Sequence, residues 1–217
     1  MSQKSQYLDD VSADESYDQL PDDETVEATV ANLEDRGFDV VVVDDAAAAL
    51  DAVTDRIPDG VSVMNGHSTT LEEIGFMDLL ESGDHDWEDL HSQVWTIDDD
   101  EERQQFRREA QAADYFLGSV NAIAQTGELV AADASGSRIG AYPFAAGNLV
   151  LVSGVNKITE DLDAALDRLE QFAYKLEDAR AQEAYGQGSV IAKQLIYRHE
   201  TEEDRTTVVL VRENLGY

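Results

Sequence analysis

The stretch LVLVSG, residues 149–154, decides the fold class. Four consecutive apolar residues, with no polar residue alternating between them, are typical of a strand whose two faces are both covered. FDVVVV (38–43) and TTVVLV (206–211) have the same character, and VSVMNG (61–66) and YFLGSV (115–120) are shorter examples. Because segments with helical periodicity separate these runs, the sequence predicts an α/β fold with a mostly parallel sheet covered by helices.

Helical spacing of apolar residues predicts a helix over 22–37, ended by Gly37, and an alanine-rich helix from Asp45 to Pro58. The longest helix is predicted over about 159–185, since its apolar residues form one continuous stripe. Other predicted segments are a helix over 69–81, a long loop with a short strand near QVWTI over 82–98, a charged helix over 99–113, and a hairpin plus loops over 121–148.

The composition separates this chain from disordered acidic proteins. Of its 217 residues 42% are hydrophobic, but 47 Asp and Glu against 15 Lys and Arg leave a net charge of −32. Such a charge repels phosphate backbones and anionic lipids, so we expect no nucleic-acid or membrane partner. We interpret the acidic surface as a halophilic adaptation, which keeps a protein soluble in concentrated salt.

The chain contains no cysteine, which excludes disulfides, thiolate nucleophiles and any iron–sulfur cluster held by its own residues. The amino terminus MSQKSQYLDD lacks an apolar export segment, and no apolar run approaches the roughly 20 residues that span a bilayer. We therefore expect a cytoplasmic protein. Residues 1–20 are polar and acidic without periodicity and are predicted to be a flexible tail, while 21–217 form the domain.

The stretch MNGHSTTLEEIG, residues 64–75, follows a predicted strand and leads into a helix. Thr69 with Glu72, or Thr70 with Glu73, has the capping-box spacing, so these hydroxyls could serve only as helix caps. The alternative is an anion site, in which Gly66 allows close approach and Ser68, Thr69 and Thr70 hold the ligand. A hydrolase nucleophile turn is disfavoured because Thr70 stands where the second glycine of that motif belongs.

Loops that follow parallel strands meet at one edge of the sheet, which places 65–70, 118–127 and 153–158 together. Lys157 and Asn156 follow the LVLVSG strand, and Asn121 follows YFLGSV; with Arg138 they complete the predicted anion site. His67 is a candidate acid or base, or an inert exposed histidine. His85 and His91 have no usual zinc spacing, so no metal site is predicted.

Three separated motifs carry a family resemblance: NGHSTTLEEIGF (65–76), ADYFLGSVNAIAQTGELVAADASGSRIGA (113–141) and VLVSGVNKI (150–158). Together they resemble the LUD-domain family, named for lactate utilisation and formerly DUF162, over about 22–217. The resemblance implies a fold related to ribose-phosphate isomerase, glucosamine-phosphate isomerase and coenzyme A transferase. It also implies a phosphate-holding role for the loop with Gly66 and Ser68.

Some relatives belong to a system that oxidises L-lactate, in which companion subunits carry iron–sulfur clusters. The resemblance thus implies a protein that binds a small anionic metabolite in organic-acid metabolism, with iron–sulfur oxidoreductase subunits as candidate partners and no cofactor in this chain. Many relatives have a cysteine cluster where this chain reads QEAYGQGSVIAKQLIYRHE (182–200). Gln125 replaces a glutamate common in relatives, which disfavours covalent transferase chemistry.

Two alternatives stay open. The chain could be an isomerase or transferase acting on a phosphorylated or coenzyme A-linked substrate, with His67 or Glu128 as the acid–base group. It could instead be a non-catalytic subunit of an iron–sulfur complex that oxidises lactate.

Overall fold

The computed structural model describes residues 4–8 and 11–217. Its strands are β1 Asp39–Val43, β2 Ser62–Asn65, β3 Glu88–Asp89, β4 Tyr115–Gly118, β5 Ala122–Ala124, β6 Leu129–Asp133, β7 Asn148–Gly154, β8 Ile158–Thr159, β9 Lys193–Tyr197 and β10 Thr206–Val211. Its α-helices are α1 Ser5–Leu8, α2 Asp23–Asp35, α3 Ala46–Thr54, α4 Thr69–Glu73, α5 Phe76–Ser82, α6 Leu90–Thr96, α7 Asp100–Glu109, α8 Ser137–Gly140, α9 Leu162–Arg168 and α10 Tyr174–Tyr185.

Six of these strands form a parallel sheet in the order β1-β10-β7-β4-β2-β3. The last strand, β10, lies between β1 and β7, in register from Thr206 with Leu149 to Val211 with Gly154. A second sheet, β8-β5-β6-β9, contains the antiparallel hairpin of β5 and β6. The predicted α/β fold with a mostly parallel sheet is therefore confirmed.

The continuous apolar runs are explained by two cores, one on each face of the main sheet. Along β7, Leu149 and Leu151 belong to one core, whereas Val150 and Val152 belong to the other. Because alternate side chains of a strand point to opposite faces, a strand covered on both sides has apolar residues at consecutive positions. The helices α3, α4 and α5 contribute to the second core, with Phe76 fully buried.

Aspartate side chains start several helices. Asp22, Asp45 and Asp161 each accept a hydrogen bond from a backbone N–H of the first turn of α2, α3 and α9. An acidic residue at the start of a helix satisfies free backbone amides and complements the helix dipole.

The predicted longest helix is found as α9, the π-helical turn Leu169–Ala173 and α10, and Gly186 with φ +69° ends it.

Three local predictions are wrong. The expected strand near QVWTI is the helix α6, because the Asp89 side chain caps it and the helix buries Val94 in the core. The expected single helix over 69–81 is two helices, broken where Gly75 adopts φ +83°. The expected loops within 121–148 also contain α8 and a π-helical turn at Ala141–Ala145.

The segment predicted as a flexible tail runs against the domain in its described parts. The Lys4 side chain is buried, with Nζ 2.7 Å from Asp18 Oδ1 and 3.0 Å from the carbonyl oxygen of Gly216. The amide of Asp14 donates to the carbonyl of Gln171 at 3.1 Å. The mobility of residues 1–20 stays a prediction, and residues 1–3, 9 and 10 lie outside the described residues.

A buried ion pair stabilises the loop between β9 and β10. Arg205 NH1 lies 3.0 Å from Glu200 Oε2, and both side chains are 5% exposed. Arg205 also donates to the carbonyl oxygens of Tyr142 and Ala146.

Among the described residues, no helix is both long enough and apolar enough to cross a bilayer.

Candidate functional site

A cavity of about 380 Å³ lies at the carboxyl ends of β2 and β4. The loop 65–70 forms one wall, residues 119–121 after β4 form another, and Lys157 after β7 reaches the same space. Helices α6, α7, α8 and α10 also contribute: His91, Val94 and Trp95 come from α6, Arg107 from α7, Ser137 and Arg138 from α8, and Glu177, Arg180 and Tyr185 from α10. This is the edge at which parallel α/β sheets bind ligands.

Eight of the ten predicted site residues line this cavity: Gly66, His67, Ser68, Thr69, Thr70, Asn121, Arg138 and Lys157. The topology brings them together because β2, β4 and β7 are neighbours in the sheet and run in the same direction.

Ser68, and neither Thr69 nor Thr70, is the cap of α4. Ser68 has an extended backbone, and its hydroxyl accepts a hydrogen bond from the amide of Leu71 at 3.3 Å. Thr69 and Thr70 already belong to the helix, so the predicted capping boxes do not form. Because one lone pair of Ser68 serves the helix, the hydroxyl retains limited capacity for a ligand.

Gly66 has a different role from the predicted one. A Cβ at Gly66 would lie 2.1 Å from Cγ and 2.6 Å from Cδ of Arg138. The absence of a side chain at this position therefore makes room for the stem of Arg138, where we had expected a ligand. Gly66 contributes to the cavity by allowing an arginine to lie across its wall.

Arg138 is held by its own surroundings. Its NH2 donates to the carbonyl oxygen of Ala132 at 2.7 Å, and its Nε lies 4.0 Å from Asp133 Oδ2. The side chain is 19% exposed. A guanidinium that keeps one hydrogen bond to the wall still has further N–H donors for a bound anion.

Lys157 lies beneath the cavity and not on an open rim, since it is only 1% exposed. Its Nζ donates to Thr70 Oγ1 at 3.0 Å, Ser119 Oγ at 3.1 Å and the carbonyl oxygen of Val120 at 3.1 Å. Burial lowers the pKa of Lys157 well below its ordinary value, and the nearby charges of Arg168 and Lys4 lower it further.

Two further arginines enter the cavity from helices. Arg180 makes two hydrogen bonds of 2.8 Å to the Glu177 carboxylate, which also accepts from the Tyr217 hydroxyl at 3.0 Å. Burial opposes ionisation of Glu177, but the bonds from Arg180 hold its pKa below the usual range. Burial and the Glu177 charge raise the pKa of Tyr217. The Arg107 guanidinium makes no ion pair or hydrogen bond with a described residue.

Two buried oxygens at the cavity lack a donor within the described part of the chain: Asn65 Oδ1 and Gln111 Oε1. The amide nitrogen of Asn65 lies 3.3 Å from the carbonyl oxygen of Gly66, and that of Gln111 lies 3.0 Å from the carbonyl oxygen of Arg107. Exchanging oxygen and nitrogen would set two oxygens against each other, so these orientations are fixed. The cavity thus presents acceptors as well as cations.

Glu128 and Asn156 lie elsewhere, which corrects two predictions. The Glu128 carboxylate, 7% exposed, is paired with Arg36 at 3.0 Å and Arg198 at 3.2 Å at the β5–β6 turn. Asn156 is fully buried and accepts from the amide of Leu215 at 3.1 Å. Both side chains hold loops together, and neither lines the cavity.

His67 stands at the mouth, with its side chain 43% exposed and Nδ1 3.2 Å from Glu72 Oε1. His91 contacts the carbonyl oxygen of Asn65 at 3.4 Å, and His85 stacks on Trp87. Within residues 4–8 and 11–217, no group of three potential metal-ligating side chains occurs.

The sequence did not predict three of the residues that line the cavity: Arg107, Arg180 and Ser119. Of these, only Ser119, at the end of a predicted strand, had a signal in the sequence.

The comparisons with known proteins agree with this architecture. A family model described as LUD domain matches residues 26–211. The chain is similar to a solved crystal structure of a DUF162 family protein from Deinococcus radiodurans, with a TM-score of 0.54 and 13% identity, covering 89% of this chain and 99% of that one. At that identity the likeness concerns the fold alone. No curated protein sequence matches the chain.

Proposed function

The chain belongs to the LUD domain family, and we propose that it binds a small anionic metabolite, a carboxylate or a phosphate, in the cavity at the carboxyl edge of the sheet. We place this binding in cytoplasmic organic-acid metabolism related to lactate, following the family. The residues that would hold the anion are Arg107, Arg138 and Lys157, with the hydroxyls of Thr70 and Ser119 beneath it.

The concentration of basic residues carries the proposal. Four of the 15 Lys and Arg of the chain line this cavity, against only Asp133 and Glu177 among the acids. Elsewhere, a net charge of −32 repels anions, so an anion is attracted only where cations are clustered and partly shielded from water. A salt-bridged surface would distribute its lysines and arginines more evenly.

The chemistry of the basic groups favours carboxylate or phosphate over a simple halide. A guanidinium presents parallel N–H donors that match two oxygens of a carboxylate or phosphate. Arg107 has no competing partner among the described residues, and Arg138 uses one donor on Ala132. The two arginines thus retain donors for an oxyanion.

Isothermal titration and thermal-shift measurements with lactate, pyruvate, sugar phosphates and coenzyme A esters, in concentrated salt, test the proposal. The informative variant is Arg107→Gln, and its matched control is Arg108→Gln, which removes the same charge from an exposed position of the same helix. A hydrogen bond to a charged group is worth about 1.5–3 kcal/mol, so we expect Arg107→Gln to weaken binding by about 10- to 100-fold.

Arg108→Gln should leave the affinity almost unchanged. The proposal fails if none of these compounds binds, or if the two arginine variants have equal effects. Such a result would show that this cavity is not the anion site, whatever ligands other members of the family bind.

A second candidate, a stand-alone isomerase or transferase, is favoured by one observation: the buried amine of Lys157 touches two hydroxyls that line the cavity. Turnover by the purified chain without a partner would support it. For the partner that the family suggests, an iron–sulfur oxidoreductase subunit, the test is co-purification from cell extract.

A further inference from the structure

The surroundings of Lys157 are unusual for a lysine in an acidic protein. The three hydrogen-bond acceptors around Nζ are two hydroxyls and one backbone carbonyl, all of them uncharged. A buried ammonium ion is costly unless a counter-charge lies beside it. The free energies of the neutral amine and of the ammonium form of Lys157 are therefore closer here than for a lysine in water.

The charged groups around Lys157 reinforce this. Arg168 from α9 and Lys4 are both buried, and Arg138 borders the cavity; all three disfavour a further positive charge, while Glu73 from α4 favours it. The Asp18 carboxylate accepts a hydrogen bond from Lys4 Nζ at 2.7 Å. Arg168 donates to the carbonyl oxygens of Tyr17 and Asn121.

Both protonation states satisfy their hydrogen bonds in this arrangement. An ammonium group donates three bonds, which Thr70, Ser119 and Val120 accept. A neutral amine donates two and accepts one, and a serine or threonine hydroxyl can turn to become the donor. Ser119 Oγ and Thr70 Oγ1 are also 3.2 Å apart, and both residues line the cavity. A chain of hydroxyls thus connects the amine to the cavity.

We propose that Lys157 is the proton-accepting group of the cavity: it takes up a proton through Ser119 and Thr70 when an anion binds, so that anion and proton enter together. This proposal rests on the anion site proposed above. It adds a role for Lys157 and a coupling between anion binding and proton uptake. The anion supplies a counter-charge to an amine whose three hydrogen-bond partners, Thr70, Ser119 and Val120, are all uncharged. The same group would accept or return a proton if the ligand reacts.

The sign of the pH dependence follows from the linkage between the two ligands. Where Lys157 is already protonated in the free protein, anion binding takes up no proton. At higher pH the amine is neutral, and each bound anion brings about one proton, so affinity falls by up to about tenfold per pH unit. Above the pKa of the complex, the anion meets a neutral lysine and binding is weakest.

Titration calorimetry with pyruvate and L-lactate tests this, because their carboxylates stay ionised over the whole range from about pH 6 to 9. Repeating each titration in buffers of low and high ionisation enthalpy gives the number of protons taken up per anion. For the wild-type chain we expect a value that rises towards one within this range. Lys157→Met should abolish both the proton uptake and the pH dependence, whereas the exposed lysine variant Lys193→Met should change neither.

Two histidines, His67 and His91, also line the cavity and could bind a proton, so His67→Gln and His91→Gln are measured in parallel. Loss of proton uptake in either histidine variant, its persistence in Lys157→Met, or pyruvate and lactate binding without proton uptake at any pH would each overturn the proposal and leave the anion site intact. Absence of binding by both carboxylates would instead count against the proposed function. If Lys157→Met does not fold, the wild-type chain and the two histidine variants still decide.

Discussion

Replacement of Gly66 by alanine tests how the cavity wall is built. The new Cβ would lie 2.1 Å from Cγ of Arg138, well inside the ordinary carbon–carbon contact of about 3.5–4.0 Å. Arg138 can make room only by leaving its position, which breaks the 2.7 Å hydrogen bond from NH2 to Ala132. A bond from a charged donor contributes about 1.5–3 kcal/mol, and overpacking costs about 1–3 kcal/mol. Because the movement of Arg138 relieves the overpacking, the lost hydrogen bond is the main cost, and we expect Gly66→Ala to lower the free energy of unfolding by about 2 kcal/mol.

The decisive measurement is a double-mutant cycle of Gly66→Ala and Arg138→Ala, by urea unfolding in about 1 M KCl, followed by circular dichroism. The three nearest atoms to the added Cβ all belong to Arg138, and after truncation only its Cβ remains, at 3.4 Å. In the Arg138→Ala background, Gly66→Ala should therefore cost almost nothing. A control, Gly140→Ala, places its Cβ 3.9 Å from the nearest atom and should be neutral or slightly stabilising.

Equal costs of Gly66→Ala in both backgrounds, within about 0.5 kcal/mol, would refute the reasoning. The glycine would then be required for a reason other than Arg138.

Four further predictions concern stability and ligand choice. Arg205→Leu, which leaves Glu200 buried without its ion-pair partner, should cost about 3–5 kcal/mol in urea unfolding, against about 0–1 kcal/mol for Arg56→Leu, which removes a partly exposed pair with Asp39. Burial opposes ionisation of Glu200, but its hydrogen bonds lower the pKa to about 2, so the stability that it contributes above the ordinary carboxyl pKa is lost as the pH falls towards about 2; Glu200→Gln should flatten that acid limb in pH-dependent unfolding. Raising KCl from about 0.1 to about 1 M shortens the Debye length from about 10 to 3 Å and should raise the urea midpoint, because the net charge of −32 then repels itself less. Since Asn65 and Gln111 present acceptors, glycerate and glycerol 3-phosphate should bind about fivefold more tightly than propionate and propyl phosphate in calorimetry, one hydrogen bond being worth about 1 kcal/mol.

The strands and their edge could be predicted from the sequence for a physical reason. A strand covered on both faces needs a continuous apolar run, and LVLVSG and TTVVLV have no other stable environment in a soluble domain. Parallel neighbours then place their following loops at one edge, so Ser68, Asn121 and Lys157 were predicted together and are found together.

The helices around the cavity could not be placed in the same way. Val94, Trp95 and Thr96 are β-branched or aromatic and favour a strand by propensity, yet the Asp89 cap and the burial of Val94 stabilise a helix. Arg107 and Arg180 are ordinary surface positions of charged helices until packing brings α7 and α10 to the cavity. Nothing local distinguishes them from neighbouring arginines such as Arg108.

The burial of Lys157 could not be predicted from the sequence either. Its position after a buried strand predicted a rim, but Lys157 is buried, and Gly216, 59 residues later in the sequence, packs close to Thr70 and Nζ. A Cβ at Gly216 would lie 2.2 Å from Thr70 Oγ1 and 3.0 Å from Lys157 Nζ. Burial of a single side chain is decided by such long-range contacts, and burial in turn decides whether a lysine acts as a fixed cation or as a titrating amine.

Concentrated salt affects how selectively a basic cavity in an acidic protein can bind one anion. In the concentrated salt that the composition predicts, exposed charges are screened within about 3 Å, and chloride competes for any exposed cation. Charge alone then gives little selectivity. The proposed site would combine arginine donors of fixed direction with a buried amine that takes up a proton together with the anion, and would therefore discriminate by geometry and by proton uptake. The 19% exposure of Arg138 and the 1% exposure of Lys157 place both groups where screening is weaker than at the surface.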